Sequence, residues 1–297
     1  MTPQKTGFLQ QHVAVLLFGL TGILGALISV NGFAITWWRM LFTVGSFLLW
    51  PGMISKVLAT PWRANLKLVG IGVLVAVHWV TFFGAIALTN ASVTLAVMAS
   101  VAFITSILEP LILRSPFRWQ EMVLGLTVIP GVVMVHHSTN FPIEGILVAL
   151  FSALCAALFS IFNKKMVADH APVTMTFVEL SAGWLFLTLV LPVVWHLLPE
   201  FQFLPSGKDW AYLSILAFGC TTLAYVLSLS ALKHLSTFTV NLILNLEPVY
   251  TIILAWLVLK EHNDLNAGFY VGAGIIIASV SIHPFLRDRS KTKSPDA

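Results

Sequence analysis

The feature that most limits what this chain can become is a succession of apolar runs, broken only by short polar turns. A run of about 20 apolar residues crosses the hydrocarbon layer as a helix, and in lipid a helix satisfies its own backbone hydrogen bonds. Ten such segments can be drawn: 11–30, 33–53, 67–88, 91–113, 119–137, 143–163, 173–195, 210–231, 235–259 and 266–286. Only 9% of the 297 residues are charged and 58% are hydrophobic, whereas a soluble domain carries roughly a quarter charged residues on its surface. The expected fold class is an all-α integral membrane protein with ten transmembrane helices. The first apolar run follows Lys5, as in a signal peptide, but it is long enough to span and further spans follow it. It therefore reads as a retained first helix.

Basic residues set the orientation of such a chain. With the N-terminus inside, thirteen of the sixteen Lys and Arg residues fall in cytoplasmic segments, among them Lys56, Arg63, Arg114, Arg118, Lys164, Lys165 and the tail Arg287, Arg289, Lys291 and Lys293. Only Lys208 and Lys260 fall on the opposite side, and Arg39 lies within a span. Both termini are expected in the cytoplasm. The net charge of +4 is modest, and the one dense basic cluster directly follows an apolar segment, so no nucleic-acid partner is expected. Cys155 and Cys220 fall inside apolar runs and read as small core residues.

The chain also repeats. Ala87–Leu88–Thr89–Asn90–Ala91–Ser92 joins the third and fourth segments, and Ala231–Leu232–Lys233–His234–Leu235–Ser236 joins the eighth and ninth, 144 residues later. Gly125 and Gly131 pair with Gly268 and Gly274 at an offset of 143 residues. Two halves are expected, 1–138 and 139–297. Each holds five spans, an odd number, so the second must be inverted relative to the first. Inverted repeats are the usual architecture of alternating-access transporters, with the site near the midplane. These connections, the run His78–Trp79–Val80–Thr81–Phe82–Phe83–Gly84–Ala85, and the motifs Leu108–Glu109–Pro110, Leu246–Glu247–Pro248–Val249–Tyr250 and Leu259–Lys260–Glu261 resemble the drug/metabolite transporter superfamily, in its ten-helix EamA branch. The resemblance runs from about residue 10 to 286. It implies a multi-pass carrier of the bacterial inner membrane that exports amino acids or related metabolites through a central cavity. The two Glu–Pro pairs are not symmetry mates, because the repeat register sets Phe103 opposite Glu247.

An ionisable group at mid-bilayer costs at least ~2.5–3.5 kcal/mol, so each one needs a reason. Arg39 lies well inside the second segment with Thr36 and Thr43 on its face; it either anchors a substrate carboxylate or pairs with a glutamate across the bundle. Glu247, before Pro248, either binds an ammonium or a coupling proton, or pins a helix kink. Asn241 and Asn245 either touch solute or hold helices together. Glu109, close to Arg114 and Arg118, suggests a gate or a structural ion pair. Glu179 either pairs with Lys164 or Lys165, or faces the cavity. His78 is either a neutral, hydrogen-bonded core residue or a proton relay. Trp79, Phe82, Phe103 and Tyr225 are expected to form an aromatic cavity wall, while Trp37, Trp38, Trp62 and Trp210 are expected at the membrane interfaces. Gly19, Gly22, Gly25, Gly272 and Gly274 are expected at close helix crossings.

No phosphate-binding glycine loop, zinc spacing or Gly-x-Ser-x-Gly element occurs, so no cofactor, metal or ATP motor is expected. An intramembrane enzyme would have only His78 and Glu247 to work with. The expected function is secondary transport of a small organic metabolite, outward, by alternating access. A carrier of cationic drugs or polyamines is the alternative. The expected partners are the solute, membrane lipid, protons if a coupling ion is used, and a second copy of the chain if it dimerises.

Overall fold

The computed structural model describes residues 2–281 apart from 118, 199, 200, 245 and 264. Among these residues every regular element is helical, as a chain solvated by lipid requires. In order they are α1 (Pro3–Leu27), α2 (Gly32–Leu48), α3 (Met53–Ala59), α4 (Trp62–Leu88), α5 (Ala91–Met98), α6 (Val101–Leu113), α7 (Trp119–Leu126), α8 (Val128–His137), α9 (Ile143–Met166), α10 (Pro172–Leu197), α11 (Asp209–Ala217), α12 (Ala224–Leu232), α13 (Thr237–Leu244), α14 (Glu247–Leu254) and α15 (Ala267–Ser281). A π-helical turn, Phe218–Leu223, joins α11 to α12, and a second, Ala255–Leu259, follows α14.

Seven spans among the described residues are long and apolar enough to cross a membrane: Pro3–Leu27, Trp62–Leu88, Ala91–Leu113, Ile143–Met166, Pro172–Leu197, Asp209–Leu232 and Thr237–Leu259. α2 and α3 are long and apolar enough only when taken together, and a bend of 94° lies between them. The expected segment 33–53 therefore stops short. Its helix ends at Leu48, and the chain turns at Pro51 and Gly52, where Gly52 takes a left-handed φ of 74° before α3 begins. The expected continuous segments 91–113 and 119–137 are each broken once, at Ala99–Ser100 and at Thr127.

Asparagine side chains start two of these helices. Asn31 accepts from Ala34 N at 3.0 Å and Asn90 from Val93 N at 2.8 Å, each satisfying an amide that the first turn leaves open. Packing then depends on small residues, because lipid gives apolar side chains no reason to leave it. α4 lies between α9 and α10. At its crossing with α10, a Cβ on Gly183 would stand 2.8 Å from the Gly72 carbonyl oxygen, and one on Gly72 would enter the Glu179 backbone. α1 packs on α12 and α14, where Gly19 meets Tyr250 and Gly22 meets Leu95 and Thr251. Gly25 and Gly32 together make room for the Phe83 ring and backbone. α15 packs on α8, with Gly272 against the Gly131 carbonyl. Gly274 differs from expectation: among the described residues nothing lies within 4 Å of its missing Cβ.

Candidate solute cavity

A cavity of about 120 Å³ lies inside the bundle, lined from α1, α2, α4, α5, α6, α9, α12, α13 and α14. Its most unusual lining group is Arg39 of α2, which is 2% exposed. The guanidinium is held from one side and covered from the other. Nε donates to Thr221 Oγ1, and Nη2 donates to the Cys220 carbonyl at 3.3 Å. The carbon between them sits 3.9 Å from the centre of the Trp79 ring and 5.9 Å from that of Phe83.

The local reason lies in the π-helical turn. A π turn adds one residue per turn and disturbs the carbonyl ladder, a feature found often at functional sites. Here Thr221 and Thr222 donate back across five residues to Leu216 O at 2.7 Å and Ala217 O at 3.0 Å. Thr43, on the Arg39 face of α2, also donates to Ala217 O, at 3.2 Å. α2 and the α11–α12 span are thus joined by polar contacts that point the arginine inward.

Glu247, the first residue of α14, lines the same cavity and lies within electrostatic reach of Arg39. It stands at a helix start rather than at mid-helix, since α13 ends at Leu244 and α14 begins at Glu247. The carboxylate therefore sits at the positive end of a helix dipole. Asn241 lines the cavity and also joins three helices: it donates to Thr105 Oγ1 at 2.8 Å and accepts from Ser160 Oγ at 3.2 Å. Asn245 lies outside the described residues.

His78 lines the cavity with its ring against Phe82 and Phe159, and its Nδ1 lies 2.8 Å from Ser152 Oγ and 3.0 Å from the Ser152 carbonyl. Tyr225 completes the aromatic wall, edge-on to Trp79. Phe103 does not join it. Val101 lines the cavity, and two residues further along α6 a side chain has turned by about 200° to the opposite face.

Glu179 overturns both of its expected placements. It lies behind the wall, fully buried, accepting from Tyr225 at 2.6 Å and Asn163 at 3.2 Å. Lys164 instead donates to the carbonyls of Leu232 at 2.6 Å and Leu235 at 2.5 Å. Glu109 accepts from the Phe238 backbone N–H at 3.0 Å. Trp37, Trp38 and Trp210 gather with Phe42 and Phe203 in one aromatic cluster, while Trp62 stands 70% exposed. The sequence did not point to the polar lining residues Thr21, Ser160, Asn163 and Ser228. Thr21 Oγ1 and Asn163 Oδ1 are buried with no hydrogen-bond partner among the described residues.

The profile of the EamA-like transporter family matches residues 5–136 and again 143–283. The chain belongs to that family. It is a multi-pass membrane transporter, with a cavity built from both matched regions. Among curated proteins it is similar to the threonine/homoserine exporter RhtA of Escherichia coli, in strain K12 and in O157:H7, at 27% identity over 158 residues. That alignment takes in 53% of this chain and 51% of the relative, so the chain spans about half the length of the curated relatives it matches. A crystal structure of a protein 17% identical in sequence aligns over 98% of this chain and 99% of its own, with a TM-score of 0.70. At that identity the likeness is one of fold.

Proposed function

We propose that this transporter exports an amino acid or close derivative across the bacterial inner membrane by alternating access, using ten spans in two inverted halves, 1–138 and 139–297. The observation that carries the proposal is a buried guanidinium and a carboxylate facing one small cavity. Arg39 offers donors for a solute carboxylate, and Glu247 offers an acceptor for its ammonium. The volume of about 120 Å³ corresponds to about four waters at their liquid share of roughly 30 Å³ each, space on the scale of one small solute. Thr21 and Asn163 add unpartnered oxygens that suit a polar side chain. The name of the similar exporter favours threonine and homoserine as first solutes to test.

The ten-span reading adds α2, α7 with α8, and α15 to the seven long spans. Support for two inverted halves comes from the packing, in which contacts occur in matching sets. α4 with α9 has its counterpart in α12 with α1, and α5 and α6 with α9 in α13 and α14 with α1. The fourth span of each half is interrupted, between α5 and α6 and between α13 and α14, and interrupted spans at matching positions mark binding sites in such carriers. The two family matches, 5–136 and 143–283, support a division between them. In this topology both termini are cytoplasmic, following the distribution of Lys and Arg.

The test is flux of labelled threonine and homoserine in proteoliposomes, with putrescine as a cationic comparison. Saturable amino-acid flux that unlabelled zwitterion competes away is expected. Flux of the diamine without flux of any amino acid would overturn the proposal in favour of a cation carrier, for which the aromatic wall of Trp79, Phe82 and Tyr225 is the best argument. A response to an imposed pH gradient would make the proton a coupling ion.

A further inference from the structure

Two carboxylates, one from each half, do matching work at opposite ends of the bundle. Glu261, just beyond the fourth span of the second half, reaches the start of α5, the fourth span of the first half. Its Oε1 accepts from Ala91 N at 3.2 Å, and its Oε2 accepts from Ser92 N at 3.1 Å and Ser92 Oγ at 2.6 Å. Glu109, near the end of α6 in the first half, reaches the start of α13, the fourth span of the second half, and accepts from Phe238 N at 3.0 Å. Each interrupted span is thus held at its N-terminus by a carboxylate from the opposite half. Both contacts put negative charge on the open amides of a helix start, where it is most favoured.

The two clasps are far apart. Ala91 and Glu109 lie on the same span, about 27 Å from one another at 1.5 Å per residue. Glu261 is 8% exposed and lines a second pocket, of about 520 Å³, between the α1–α2 and α4–α5 connections. Phe83 lines that pocket, in the space left by Gly25 and Gly32, with its neighbour Phe82 on the central cavity. At the other end Lys164, within electrostatic reach of Glu109, ties the carbonyls of Leu232 and Leu235 between α12 and α13. Opening either end by parting the halves must pull a carboxylate off the helix start that it caps.

We infer that Glu261 and Glu109 are the opposed latches of the transport cycle, one closing each end of the path, and that their relative strength sets which end opens. The inference rests on the transporter reading above, and in the proposed topology the Glu261 end faces outward. A residue that only stabilised the fold would not act in opposite senses at the two ends.

The test uses a single reporter, Ser228→Cys in the cavity lining, with Cys155→Ala and Cys220→Ala, in vesicles exposed to an impermeant thiol reagent from one side at a time. Glu261→Gln should raise labelling from the outside and lower it from the inside, on the order of tenfold, because a neutral acceptor is about half as strong. Ser92→Ala should shift labelling the same way by less, and Glu109→Gln should shift it the opposite way. The double variant should return towards the parent ratio. Equal shifts from both single variants, no shift from either, or a double variant displaced further than both would overturn the latches. Flux of the unsubstituted chain is read in parallel vesicles. Its absence overturns the proposed function, whereas intact flux with unmoved labelling of the reporter overturns only the latches.

Discussion

Replacing Arg39 by Gln should separate transport from stability. For the fold, the substitution removes the bonds to Thr221 and the Cys220 carbonyl and the contact 3.9 Å above Trp79. Hydrogen bonds to a charged group contribute about 1.5–3 kcal/mol each, and a desolvated cation–π contact contributes about 2 kcal/mol. Against that, the wild-type chain carries the cost of a buried charge, several kcal/mol per ion, and Gln keeps part of the bonding to Thr221. The two sides nearly offset, so the melting temperature in detergent should move little. The solute has no such offset. Losing one charge-assisted grip on a carboxylate, at about 3 kcal/mol, weakens binding roughly 100-fold. The assay is amino-acid flux against concentration in proteoliposomes, alongside thermal unfolding of the same preparation. Arg39→Lys should fall between, since it keeps the charge but neither the planar stacking on Trp79 nor the fork of donors. A well-folded Arg39→Gln protein with unchanged apparent affinity would refute the reasoning and leave Arg39 as a brace between α2 and the π turn.

Tyr225→Phe should lower stability by about 1–3 kcal/mol, because Glu179 would keep only Asn163 while its Oε1 already lacks a partner; a fall in melting temperature with nearly unaltered flux affinity is the expected pair of results. Gly72→Ala should cost about 1–3 kcal/mol by overpacking the α4–α10 crossing, whereas Gly70→Ala, with nothing within 4 Å of the new methyl, should melt as the parent does. Glu247→Gln should depress both net flux and exchange of a zwitterionic solute if the carboxylate binds the ammonium, and exchange that survives while net flux is lost would assign it to a coupling proton instead.

Depth in the membrane was legible in this sequence, and rotation about each helix axis was not. The apolar runs place the spans because lipid tolerates little else, and a lone arginine inside one stands out because its cost is so high. Thr221 and Cys220, which hold that arginine, left no comparable trace: the Cys220 carbonyl on the π turn belongs to the backbone, and any residue could have carried it. Asn163 and Ser152 were equally quiet, being modest polar residues on otherwise apolar spans. Phe103 shows how the error arises. The connections before the fourth spans suggest a register of 144 residues, which sets Phe103 against Glu247. The left-handed residues that end those spans, Arg114 with φ 53° and Lys260 with φ 58°, lie 146 apart. At that spacing the residue opposite Glu247 is Val101, which does line the cavity. A slip of two residues turns a helix by about 200°, enough to carry a side chain from the cavity to the far face. The corrected register also gives the proposed repeat a chemical direction. Where the second half presents a carboxylate, the first presents valine, so a zwitterion held between Arg39 and Glu247 meets different chemistry at its two ends.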